Sequence, residues 1–145
     1  MARSAGRTWG HHERRPQARI QPCGCGEADQ RLLLELRAGE RGTAVLHLGQ
    51  VALDPEGRIV GKGDVRAPTV QVLENIRMIL RANGADTEDV VSVTVYVTDI
   101  AFLDRIKDIR MQYFPSNGPA SAIIEIAKLA VPELLIEIAA VAALP

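Results

Sequence analysis

Aromatic side chains are nearly missing: the 145 residues hold two Phe, two Tyr and one Trp. A chain so poor in rings offers no row of stacking platforms for single-stranded nucleic acid. Its core must therefore be aliphatic. Cysteine is as sparse. Cys23 and Cys25 stand one residue apart and cannot build a disulfide framework. No apolar run approaches the ~20 residues of a membrane span. No apolar signal-peptide core follows Met1, so a cytoplasmic protein is expected. Neither sign of charge dominates, the net being -1. The distribution is uneven, however. Residues 1–26 carry five Arg against one Glu, and the remainder carries 12 basic and 17 acidic residues. An acidic body lacks the broad basic footprint of a nucleic-acid binder.

Residues 1–26 differ from the rest in being rich in Arg, Gly, Pro and His without periodicity. They read as an irregular or disordered basic leader, ahead of a single domain at 27–145 large enough for a real core. His11, His12, Cys23 and Cys25 fall in the leader, but their spacing matches no zinc pattern. Neither a metal nor a cofactor is expected.

The body shows clear elements. Arg31 to Arg37 reads as a strand with Leu32, Leu34 and Leu36 on one face, and Thr43 to Val51 as its return across a glycine-containing loop. Asp54-Pro55-Glu56-Gly57 is a turn, with a short strand expected at 58–60. Ala67 to Asn83 reads as a helix whose apolar face is Val72, Leu73, Ile76, Ile79 and Leu80, stopped by Asn83-Gly84. Asp89 to Asp99 alternates: Val91, Val93, Val95 and Val97 against Ser92, Thr94, Tyr96 and Thr98. Ile100 to Phe114 is a second helix, with Phe102, Ile106, Ile109 and Tyr113 at helical spacing. Gly118 to Ala142 supplies two closing strands around a Val131-Pro132-Glu133 turn. In the first, Ser121, Ile123 and Glu125 share a face. In the second, Glu137 is the one charge in an apolar run, and a carboxylate there must reach water or a partner. The order is an α+β sandwich, a mixed sheet with two helices on one face.

Several words of this sequence, in their order and spacing, resemble the reactive intermediate deaminase (Rid) family, also called the YjgF or endoribonuclease L-PSP family. They are Gly49-Gln50-Val51-Ala52-Leu53-Asp54, then Thr69 with Gln71-Val72-Leu73-Glu74-Asn75-Ile76. Glu88-Asp89-Val90-Val91 and Thr94-Val95-Tyr96-Val97-Thr98-Asp99 follow, and last come Pro119-Ala120 and Ile136-Glu137-Ile138. The resemblance spans roughly residues 42–143. It implies a chorismate-mutase-like (YjgF-like) subunit assembled as a homotrimer, its sheets forming a central barrel and its ligand clefts lying between subunits. The expected ligand is a small 2-keto or 2-imino acid, or a less acidic analogue. Neither a membrane nor a nucleic acid is an expected partner.

The resemblance also marks positions. Deaminating members carry an Arg after Pro-Ala, whose planar fork grips the substrate carboxylate twice. Here that position is Ser121, which has one donor and no charge. The family's nearby Cys falls on Ile123, and the small residue usual before Gly-Gln is Leu48. The Gly-Pro-Tyr-Ser word has no counterpart before Gly42. The carboxylate that positions attacking water is matched by Glu137. A buried contact to a charged group is worth ~1.5–3 kcal/mol. Its loss would weaken acid binding by roughly one to two orders of magnitude. Lys107 and Lys128 are the substitute cations considered, each competing with the plainer reading of a solvated lysine. The expected function is thus small-molecule binding with altered or lost deaminase activity. The alternative is hydrolytic deamination of 2-iminobutanoate- or 2-iminopropanoate-type intermediates. RNA cleavage ranks third: His47 is the only histidine outside the leader and offers no general acid-base pair.

Overall fold

The computed structural model describes residues 35–38, 44–114 and 118–144. The leader with His11, His12, Cys23 and Cys25 lies outside the described residues, as do Leu32 and Leu34. The elements are β1 (Glu35–Ala38), β2 (Ala44–Val51), α1 (Arg66–Ala82), a short 3-10 turn (Thr87–Asp89), β3 (Val90–Val97), α2 (Phe102–Tyr113), β4 (Ala120–Glu125) and β5 (Ile136–Ala143).

The strand expected at 58–60 reduces to one bridge, between Leu53 and Ile59. The Asp54 carboxylate accepts the amides of Glu56 and Arg58 at 3.0 and 2.8 Å, which folds the chain back tightly. Gly61 then turns it away with φ +68°. Extension has no room to propagate between these two bends. A Cβ at Gly61 would lie 2.5 Å from Pro68 Cδ. Gly61→Ala therefore meets both a left-handed backbone and a steric clash. We expect it to lower stability by about 1–3 kcal/mol in urea denaturation.

The five strands run in the order β1-β2-β5-β3-β4. Every pairing is antiparallel except β3 with β4. The two closing strands are thus not neighbours. α2 carries the chain from β3 over one face and returns it parallel, as a β-α-β crossover requires, which puts β4 at the edge. β5, the most apolar strand, then takes the central slot between β2 and β3.

Strand register sorts the side chains. Val93, Val95 and Val97 pair with Ala140, Ile138 and Ile136 of β5 and with Ser121, Ile123 and Glu125 of β4. All of these face the helices. On that face Leu46, Leu48, Ile136, Ile138, Val93, Val95 and Val97 pack under Val72, Leu73, Ile76 and Leu80 of α1 and Ile106 and Ile109 of α2. Val91 departs from the expected alternation. The register slips between Val90 and Ser92, so β3 carries one extra residue there. This bulge turns Val91 out to 51% exposure and puts Val90 in the core instead.

α1 begins one residue earlier than its sequence suggests, because Asp64 accepts from the amides of Arg66 and Ala67 at 3.2 and 3.4 Å. It ends as Asn83-Gly84 requires. Gly84 has φ +76°, its amide reaches Arg81 O, and the Ala85 amide reaches Leu80 O. That double closure satisfies the last carbonyls of the helix. A bidentate pair of Arg66 with Asp108 and a pair of Arg105 with Asp64 tie the two helices at their exposed side. Such solvated pairs contribute little stability each.

Candidate functional site

Among the described residues no helix covers the sheet's second face. His47, Gly49 and Val51 of β2 lie on it, with Glu137, Ala139 and Val141 of β5 as their register partners. Ser92, Thr94 and Tyr96 of β3 continue the same face. Glu137 sits between Val51 and Tyr96 and is half-buried. Gly49 leaves space beside it: a Cβ there would stand 3.5 Å from Oε1 of Glu137. Burial raises the Glu137 pKa above its usual 4.5, and among the described residues no donor offsets it. The arrangement is a carboxyl on a face that otherwise presents His47, small aliphatic side chains and the hydroxyls of Ser92, Thr94 and Tyr96, with no side chain from Gly49 set against it. The β2 exit beneath it is held from α1, where the Asn75 amide donates to Val51 O and Leu53 O at 3.3 and 3.0 Å.

Ser121 lies on the helix face of β4, and a cation does stand against it. The Arg110 guanidinium, on α2, donates from Nη2 to Ser121 Oγ at 2.6 Å. Its Nε is buried and has no hydrogen-bond partner. Burial pulls its pKa below the usual guanidinium value. The lysines named from the sequence do not take this place. Lys107 is exposed one turn earlier on α2, and Lys128 is exposed beyond β4. Arg110 escaped the sequence reading because it falls outside the apolar stripe of its helix. Only packing shows that the side chain turns under β4.

The residues expected to form one site are dispersed within the subunit. Ser121 and Ile123 are on the helix face at the sheet edge, with Ile123 packed against the core. Leu48 is on the same face, buried under the helices. Glu137 is on the opposite face. Ser121 aligns with Val93 and Glu137 with Tyr96. Three residues along the strand and two strands across separate their backbones by roughly 14 Å. Glu125 and Glu137 do not pair. The Glu125 carboxylate faces the helices and accepts the Ile100 amide at 2.8 Å, securing the entry to α2. Tyr96 and Gly49 are the neighbours of Glu137 that sequence reading left without a role.

A separate cavity of about 330 Å³ opens between the ends of α1 and α2, lined by Arg77, Arg81, Asp86, Thr87, Glu88, Gln112 and Tyr113. Both of its arginines are already paired, Arg77 with Glu74 and Arg81 with Asp86. Among the described residues no cluster of His, Cys, Asp and Glu is placed to hold a metal. No helix among them is long and apolar enough to cross a membrane.

Comparison with known proteins accounts for this architecture. The Endoribonuclease L-PSP family profile matches residues 37–144. A RutC family protein of Pyrococcus abyssi is 37% identical over 101 residues, 70% of this chain and 79% of that one. Human 2-iminobutanoate/2-iminopropanoate deaminase is 39% identical over 81 residues, 56% of this chain and 59% of its own length. Among solved structures, a protein of the conserved Rid family from Yersinia pestis superimposes with a TM-score of 0.64 at 42% identity, covering 69% of this chain and 78% of its own. The mixed sheet, the two helices on one face and the word order along residues 42–143 are those of that group, and the chain belongs to the endoribonuclease L-PSP family, also known as Rid or YjgF.

Proposed function

We propose that this protein is a cytoplasmic small-molecule-binding homotrimer. It takes a 2-oxo or 2-imino acid, or a less acidic analogue, in clefts between subunits, with an imine deaminase activity altered from that of the relatives named for it. The observation that carries the reading is Glu137: a half-buried carboxyl on the sheet face away from α1 and α2, with no side chain from Gly49 set against it. A carboxylate so placed orients water or takes its proton. Imine hydrolysis needs little more, because positioning alone supplies much of the barrier reduction. Several features support the assembled form. The exposed face carries Val51, Val141 and Ile124, the last at 43% exposure, and aliphatic surface of that kind favours a partner. Ser121 and Glu137 lie on opposite faces of one sheet. A cleft using both must therefore draw them from different subunits.

A fuller deaminase activity is the second reading, and Arg110 favours it. A guanidinium beside Ser121 restores a positive charge where the sequence shows only a hydroxyl. The test is ammonia release from freshly generated 2-iminopropanoate, with light scattering on the same sample. We expect a rate above buffer and a trimer mass. A stable lone subunit at micromolar concentration would remove the shared cleft. A buffer-level rate together with no calorimetric binding of 2-oxobutanoate would end both readings.

A further inference from the structure

We infer that Arg110 is the anion-gripping residue of this protein: a guanidinium delivered from α2, steered by Ser121, that receives the carboxylate of a small ligand at the outer edge of β4. The inference rests on the reading above that the cleft takes a small acid, and adds which residue of this chain selects it.

The other arginines whose side chains are described each face a carboxylate: Arg58 has Asp54 and Glu56, Arg66 has Asp108, Arg77 has Glu74, Arg81 has Asp86 and Arg105 has Asp64. Arg110 faces none. A guanidinium carries five N–H donors, and a single side-chain hydrogen bond, to Ser121, is formed. Among the described residues the Nε donor is buried and unmet, a costly condition unless a partner arrives. Nε and Nη2 form the side of the fork that holds a carboxylate in two places. Because the Ser121 oxygen accepts from Arg110, its own hydrogen is free to donate to the same anion. Among the described strands β4 pairs only with β3 and Ser121 is exposed, so a ligand arrives on the Ser121 side and reaches the covered Nε as the guanidinium turns outward. The competing occupant is an acidic side chain of a second copy, which would make Arg110 an interface ion pair.

Titration of 2-oxobutanoate into the wild type and into Arg110→Gln, Arg110→Lys and Ser121→Ala separates these cases, with Lys62→Gln as a control for net charge. Arg110→Gln should weaken binding by about 10- to 150-fold, the loss of a charged hydrogen bond. Lys should not rescue it, since an ammonium lacks the fork. Ser121→Ala should cost a few-fold, and Lys62→Gln nothing. In the wild type, the Arg110 Nε–H resonance should shift as ligand saturates, a readout that needs no variant to fold. Equal affinity in Arg110→Gln, or an unmoved Nε–H at saturation, overturns the inference and leaves the small-acid reading standing. Dissociation of the Arg110→Gln trimer with an unmoved Nε–H identifies the interface pair and also overturns it. Absence of any 2-oxo acid binding by the wild type overturns both.

Discussion

Glu137→Gln is expected to lower ammonia release from 2-iminopropanoate by roughly 10²- to 10⁴-fold, the range for losing a positioned general base. The amide keeps the shape of the side chain beside Gly49 but cannot serve as a base. Ligand affinity should change far less, because Gln still offers a hydrogen-bond acceptor. The pH profile gives a second check. Burial raises the Glu137 pKa, so the group stays protonated to a higher pH than an exposed glutamic acid does. A base works only when ionised, so the rate should rise with pH along a limb above the ordinary glutamate range. The stability effect has a definite sign as well. The native state holds this proton more tightly than the unfolded chain, so the residue's contribution falls as pH rises from the unfolded pKa through the raised folded one. Glu137→Gln should therefore melt higher than wild type above that window and match it well below. An unchanged rate in the variant would remove Glu137 from the chemistry. A lower melting temperature at high pH would mean that the carboxylate has an attractive partner.

Ile138→Ala should cost about 2–5 kcal/mol, the usual penalty for emptying a fully packed Ile site. Ile138 is 0% exposed. Its neighbours are Gln50 on β2 and Val95 on β3, and it belongs to the aliphatic cluster under the helices. Because a domain of this size is stable by only about 5–15 kcal/mol, the loss should move the urea midpoint far while leaving the slope unchanged. A cost under about 1 kcal/mol would show that the centre of the sheet is not where β5 lies.

The contrast between these two neighbours shows what was legible before the structure. Alternation along β5 put Glu137 and Ile138 on opposite faces, and the period of α1 and α2 marked the buried stripe that covers Ile138. Gly84 and the turn at Asp54 announced themselves because only certain backbones need those residues. Val91 did not, since a bulge depends on the register against β5 and on nothing local. The same holds for the missing strand at 58–60, where two tight bends overruled a short extended-looking sequence. Ser121 was read as a bare hydroxyl for a related reason. Arg110 stands 11 residues away on another element and meets Ser121 only because the crossover lays α2 over β4.

Alternation, helical period and turn chemistry fixed the elements, their apolar faces and the aliphatic core, since each is set by neighbours a few residues apart. The family words fixed the fold by their order. Tertiary structure alone decided that β5 separates β2 from β3, that Ser121 and Glu137 occupy opposite faces, and that a half-buried guanidinium waits beside Ser121 without a counter-charge. Those outcomes depend on which strands pair and in what register, and a one-residue slip reverses every face.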